Sequence, residues 1–118
     1  MAARLFGVDL LDEAAAELEH EAGYYLARGG PAARDAFLHE FARVARRIAD
    51  SPRSFPTWPG KPSVRRAVLK RYPFTIGFVA GTSNDEPALI VVIAHAKRRP
   101  GYWLRRAPAG HSRRKPTP

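Results

Sequence analysis

The chain contains no cysteine in its 118 residues, which excludes disulfide bonds, thiolate nucleophiles and cysteine-based zinc sites. It also contains no apolar run near the length of about 18 residues that a membrane-spanning helix needs. The first residues lack the apolar block of a secretion signal. We therefore expect a cytoplasmic protein that uses neither disulfides nor a membrane.

Acidic residues are scarce in the second half of the chain. The formal net charge is +9, but residues 1–50 hold six arginines and nine acidic residues, a net charge of −3. Residues 51–118 hold fourteen basic residues and only Asp85 and Glu86, a net charge of +12. This asymmetry predicts a basic working surface in the second half that faces a polyanion or an acidic partner.

Motifs for nucleotides and metals are missing as well. The sequence has no GxxxxGK[ST] and no GxGxxG element, so nothing supports nucleotide binding of those kinds. The four histidines are scattered and have no paired ligand spacing. We expect no metal and no cofactor. The carboxylates Glu13, Glu17 and Glu21 share one helix face, and we interpret them as a solvated stripe.

The first half reads as one strand followed by two helices. Residues 4–10 carry apolar side chains at alternate positions, which predicts a strand. Apolar residues then recur at helical spacing up to Gly29 and Gly30, where the helix should stop. A second stripe of helical period follows a proline and continues to Ser51. The short connection predicts that the two helices pack antiparallel as a hairpin.

The second half reads as three strands. Residues 51–63 are rich in proline and predict a loop. Strands are predicted over 64–71, 74–79 and 88–94, and the last is apolar on both faces, as in a central strand. The order β-α-α-β-β-β indicates an α+β fold, an antiparallel sheet packed against the two-helix hairpin. We expect one domain over residues 1–106 and a disordered basic tail over 107–118.

Two clusters of basic residues are the strongest functional signal in the sequence. The first comprises Arg65, Arg66, Lys70 and Arg71. The second comprises Lys97, Arg98 and Arg99, followed by the aromatic residues Tyr102 and Trp103. Guanidinium groups pair with phosphates, and aromatic faces stack on unpaired bases. The alternatives are that edge arginines prevent aggregation of the sheet and that Trp103 packs in the core.

Two motifs resemble those of a known family. Residues 65–74 read RRxxLxxYPF, and residues 94–103 read AHxxRxPxYW. Together with the two helices, they make residues 5–105 resemble the RelE/ParE toxins of type II toxin–antitoxin systems, some of which stabilise plasmids. The resemblance implies a small α+β fold, growth inhibition and a cognate antitoxin as partner.

The resemblance leaves two targets open. ParE-like members trap DNA gyrase on cleaved DNA, and RelE-like members cut mRNA on the ribosome without a metal. The resemblance places the basic positions of the ribonuclease set on Arg66 and Arg98 and its aromatic position on Tyr102 or Trp103. Two further positions that are often basic fall on Val68 and Thr75, which carry no charge. The resemblance therefore favours a ParE-like gyrase inhibitor over a ribosome-dependent endonuclease.

The residues expected to bind the target belong to the two basic clusters: Arg65, Arg66, Lys97, Arg98, Arg99, Tyr102 and Trp103. A third reading is a non-toxic family member that only binds its antitoxin.

Overall fold

The N-terminal residues form a tight hairpin rather than the single strand expected over 4–10. The computed structural model describes residues 3–83 and 85–106. Within them, Ala3–Leu5 (β1) pairs antiparallel with Val8–Leu10 (β2). The two turn residues, Phe6 and Gly7, both have positive φ, at 52° and 85°. This is the geometry in which a two-residue turn matches the twist of its strands, so the alternating pattern folds back on itself.

The helical region is one element, Asp12–Asp50 (α1), with a break inside it. Gly30 has φ 81° and ψ −174°, a backbone conformation that glycine adopts without steric cost. The rings of Tyr25 and Phe37 stack with centroids 5.0 Å apart. Twelve residues of straight helix would separate them by about 18 Å. The helix axis therefore turns sharply at Gly30. The predicted interruption is confirmed at Gly30, which divides α1 into two helical segments within one continuous element, and the antiparallel hairpin stays a prediction.

Four strands follow α1 within residues 51–83 and 85–106. They are Thr57–Trp58 (β3), Lys61–Val68 (β4), Phe74–Val79 (β5) and Leu89–His95 (β6). Short 3-10 turns occupy Pro52–Ser54 and Leu104–Arg106. The sheet has the order β1-β2-β6-β5-β4-β3. The antiparallel meander β4-β5-β6 was expected and is confirmed, whereas β2 lies parallel to β6.

Several boundaries in the second half differ from the expectation, and the smallest difference is in β6, which spans 89–95 and not 88–94. The proline-rich segment 51–63 is not wholly a loop, because β3 pairs with β4 and β4 already begins at Lys61. The strand expected over 64–71 ends at Val68, and Arg71 has φ 70° in the turn that follows. A left-handed residue cannot continue a strand, so the chain reverses there. The tail over 107–118 lies outside the described residues.

Both faces of the sheet are buried against other parts of the chain. On one face, α1 contributes large apolar side chains that are fully buried, among them Phe37, Phe41 and Ile48. On the other face, Trp58 and Trp103 cover a smaller cluster that includes Val92. Strand β6 has a neighbour on each side and is buried on both faces, as its apolar sequence predicted.

In the part of the chain that the structure describes, no helix has both the length and the apolar character that crossing a membrane requires.

Candidate functional site

The second basic cluster lies where the chain leaves β6. Lys97, Arg98 and Arg99 are all exposed. The backbone turns tightly here, since the Arg98 amide donates to the His95 carbonyl at 3.0 Å and the Lys97 amide donates to the His95 Nδ1 at 2.9 Å. We call residues 97–101 the basic loop. The sequence predicted a basic surface here, and the structure brings its cations together at one end of the sheet.

The Tyr102 ring packs against the Arg98 side chain of the basic loop. The Arg98 guanidinium carbon lies 3.9 Å from the centroid of the Tyr102 ring, which is a close cation–π contact. The Tyr102 hydroxyl donates a hydrogen bond of 2.7 Å to Glu17 Oε2 on α1. One face of the ring therefore carries Arg98, while its hydroxyl is anchored to the helix.

Glu17 is the centre of this arrangement. In addition to Tyr102, its carboxylate accepts from the Ile93 amide at 3.0 Å and from Arg106 Nη1 at 2.9 Å. Its side chain is only 15% exposed. The interpretation of Glu17 as part of a solvated stripe is therefore wrong. Glu17 lies three residues after the buried Ala14, at the border of the buried face, and this was the signal in the sequence that could have found it.

The phenol of Tyr102 remains protonated at neutral pH. Burial and the hydrogen bond to the Glu17 carboxylate raise the Tyr102 pKa well above its ordinary value, and the nearby cations Arg98 and Arg106 only partly oppose this. A phenol in this state donates a hydrogen bond. It is poorly suited to accept a proton as a general base.

A cavity of about 580 Å³ opens between α1 and the end of β6. It has acidic residues on the helix side and basic residues on the loop side. We call it the α1–β6 cavity. Its lining residues are Glu13, Ala16, Glu17, His20, Glu21, Ile93, His95, Lys97, Arg98, Tyr102 and Arg106.

A smaller cavity of about 180 Å³ lies next to the basic loop. Thr75, Arg98 and Tyr102 all line it, together with Trp58 and Trp103. Three positions that the resemblance connects with ribonuclease activity therefore meet at one place. The cation that the resemblance implies on β5 is replaced there by the neutral hydroxyl of Thr75.

The first basic cluster is divided by the fold. Arg65 Nη1 donates to the Phe55 carbonyl at 2.6 Å, and Arg66 Nε donates to the Thr57 carbonyl at 3.2 Å. Both arginines thus brace the segment that forms β3. Lys70 and Arg71 lie beyond the end of β4, in the turn before β5.

The turn with Lys70 and Arg71 faces a carboxylate on α1. Glu40 accepts two hydrogen bonds of 2.9 Å from Arg43 and one of 3.0 Å from the Lys70 amide. The hydrogen bonds from Arg43 hold the Glu40 pKa below its ordinary value, although burial acts in the opposite direction. This pair ties the turn to the helix.

Trp103 is the one expected target-binding residue without an accessible surface. It is 1% exposed, and its ring meets the Trp58 ring edge-on with centroids 4.7 Å apart. Its position agrees with the packing alternative. It anchors the segment after the basic loop to the sheet, and its ring has almost no surface that a partner could contact.

Comparisons with known proteins identify a fold. No model of a known protein family matches the chain, and no curated protein matches it either. Among solved structures, the chain is similar to one from the "Chromosomal ParDE TA system from P. aeruginosa", with a TM-score of 0.61 and 20% sequence identity. The match covers 79% of this chain and 100% of that chain. The chain therefore has the fold that the resemblance to RelE/ParE toxins implied.

Proposed function

We propose that the chain is the ParE-like toxin of a type II toxin–antitoxin system, that it inhibits DNA gyrase and that a cognate antitoxin neutralises it. The observation that carries this proposal is the match to the whole length of a chain from a ParDE system. The exposed basic loop beside an aromatic platform supports it, because a rigidly held arginine is a strong anchor for an interface.

The site favours gyrase inhibition over RNA cleavage. A ribonuclease that works without a metal needs cations around the developing phosphorane and a group that accepts the 2′-hydroxyl proton. Thr75 supplies no charge, and the Tyr102 phenol already donates to Glu17. Arg66 binds the Thr57 carbonyl rather than an open cavity.

The alternative is a RelE-like ribosome-dependent mRNA endonuclease. It is favoured by one observation, the meeting of Thr75, Arg98 and Tyr102 at a single cavity. In this alternative the ribosome would supply the charges that the chain lacks. A second alternative is a non-toxic member of the family that only binds its antitoxin.

Two assays with the purified chain separate these functions. We expect the chain to inhibit supercoiling by DNA gyrase and to leave ribosome-bound mRNA intact. Thr75→Arg should not increase growth inhibition, because the proposed target needs no cation at that position. Codon-dependent mRNA cleavage by the parent chain, with supercoiling unaffected, would overturn the proposal in favour of the endonuclease.

The proposed antitoxin partner is tested by expressing the neighbouring reading frame together with the chain. We expect it to encode a protein whose acidic, amphipathic segment binds the chain, and its co-expression should restore growth. Since the second half of the chain carries a net charge of +12, association should slow clearly as salt concentration rises. An association rate independent of ionic strength would contradict this picture of the interface.

A further inference from the structure

The basic loop is neither helix nor strand; hydrogen bonds within its turns hold the backbone, but none of them holds the Arg98 side chain. Strand β6 ends at His95, and the next 3-10 turn begins only at Leu104. The Arg98 side chain is exposed, and its guanidinium group rests on the Tyr102 ring. An exposed arginine on a flexible loop loses conformational freedom when it binds a partner, which weakens the interface. The position of Tyr102 therefore decides how well Arg98 is preorganised.

Glu17 connects three separate parts of the chain at this point. It accepts from the Ile93 amide of β6, from the Tyr102 hydroxyl and from the Arg106 guanidinium group. Arg106 also donates to the Val91 carbonyl at 3.3 Å, so both ends of the segment 102–106 are tied to the same edge of β6. Because hydrogen bonds to an ionised group are stronger than those between neutral groups, the charge of Glu17 matters here.

We propose that Glu17 is a positioning residue: it holds Tyr102 and Arg106 against β6 and thereby presents Arg98 in a fixed place on the surface. Glu17 itself is mostly buried and contacts no partner. Only the connection to growth inhibition rests on the function proposed above. The effect of Glu17 on the loop does not depend on that function.

The test compares the full-length chain with Glu17→Gln. Glutamine keeps the size of the side chain and an acceptor for the Ile93 amide, but it removes the charge that binds Arg106. The matched control is Glu13→Gln, which removes the same charge one turn earlier in the same cavity. Glu13 forms no hydrogen bond or ion pair with the residues that the structure describes.

The first readout is limited trypsin digestion under native conditions, with the cleavage sites identified by mass spectrometry. Cleavage after Lys97 and Arg98 reports how often the loop opens. We expect Glu17→Gln to increase this cleavage several-fold and Glu13→Gln to leave it unchanged. Equal cleavage in Glu17→Gln and the parent chain would overturn the proposal.

The second readout is the phenolate absorbance of Tyr102 in a pH titration. The control Glu13→Gln should leave this titration unchanged, because Glu13 is not among the groups that shift the Tyr102 pKa. Without the Glu17 carboxylate, the Tyr102 pKa should fall, and Tyr102→Phe identifies the signal. Tyr102→Phe keeps the aromatic ring against Arg98 and leaves the hydrogen bond from the Ile93 amide to Glu17 in place. It therefore still tests the proposal by digestion if Glu17→Gln fails to fold. We expect it to increase loop cleavage as well.

Growth inhibition separates the two proposals. If Glu17→Gln opens the loop and both it and Arg98→Ala lose toxicity, the positioning role and the toxic surface are both supported. If the loop opens but neither variant loses toxicity, Glu17 still positions the loop, and the assignment of the toxic surface to Arg98 is wrong.

Discussion

The two faces of the sheet are covered in different ways. One face lies under α1, whose buried side chains follow a helical period and form the larger cluster. The other face lies under Trp58 and Trp103, which come from segments 45 residues apart in the sequence and belong to no common element. A regular element thus supplies most of the buried apolar surface, while two single aromatic residues close the opposite side.

This difference separates stability from the proposed function. The interior of the helix-covered face is aromatic and aliphatic, and the basic residues beside it, Arg43, Lys70 and Arg71, surround the Glu40 carboxylate. On the second face, Trp103 anchors the chain directly after the basic loop, so its packing also determines where that loop lies. Substitutions on the helix-covered face should therefore change mainly the free energy of unfolding. Substitutions near the face covered by Trp58 and Trp103 should also change binding to a target.

The largest expected effect is on the helix-covered face. Phe41 is fully buried, so Phe41→Ala should lower the free energy of unfolding by about 3–5 kcal/mol, since it leaves a cavity in a close-packed core. Chemical denaturation followed by circular dichroism measures this. Leu26→Ala, at an exposed position of the same helix, is the control and should change stability by less than about 0.5 kcal/mol. A stability of Phe41→Ala equal to that of the parent chain would mean that the buried face is assigned incorrectly.

The second largest effect is expected at Trp103. We expect Trp103→Ala to cost about 3 kcal/mol, at the lower end for such substitutions, because the short segment around it can partly collapse into the space. The same denaturation experiment measures it, with Leu104→Ala at the exposed neighbouring position as control. A cost larger than that of Phe41→Ala would reverse the order of the two faces.

An intermediate effect is expected at Gly77 on β5, where the second face is closely packed. A Cβ atom at this position would lie 2.8 Å from Val92 Cγ1 and 3.3 Å from Trp58 Cζ3. Gly77→Ala should therefore destabilise the protein by about 1–3 kcal/mol through overpacking. Combining it with Val92→Ala should cost less than the sum of the two single substitutions, because the smaller side chain makes room. Strict additivity would show that the two positions do not compete for space.

The smallest effect on stability is expected at Arg98. Arg98→Ala should change the free energy of unfolding by less than about 0.5 kcal/mol, because exposed charges contribute little to folding. It should nevertheless weaken growth inhibition while antitoxin binding persists. The control is Arg105→Ala, which removes another exposed charge nearby. Full growth inhibition by Arg98→Ala would remove the basic loop from the proposed target surface.

Local sequence patterns were sufficient to predict an element where its buried residues recur with the period of a helix or a strand. Strand β5 was predicted with the bounds that it has, 74–79, because its alternation is regular. The apolar run of β6 correctly indicated a central strand. The break in the helix was expected at Gly29 and Gly30, and the non-helical residue is Gly30. In each case the backbone preference and the hydrophobic period agree over a few neighbouring residues.

Local patterns failed where distant residues decide the structure. Strand β3 follows a proline and has only two residues, and it pairs with β4, from which Arg65 and Arg66 donate to the Phe55 and Thr57 carbonyls. The role of Glu17 depends on Tyr102, 85 residues further along the chain. Hydrophobic periodicity relates residues only a few positions apart, so it could not predict this contact.

The amino-acid sequence alone thus determined the class of fold, the central strand and the concentration of positive charge after residue 51. These follow from short-range periodicity and composition, which act on neighbouring residues. The tertiary structure decided which of the charged and aromatic residues are structural and which are exposed. In the folded chain, Trp103 is buried and Glu17 is mostly buried. Arg65 and Arg66 form hydrogen bonds to the carbonyls of the segment around β3, while Arg98 is exposed and contacts the Tyr102 ring. Burial and hydrogen bonding depend on which distant segments meet, and that is settled only when the whole sheet has formed.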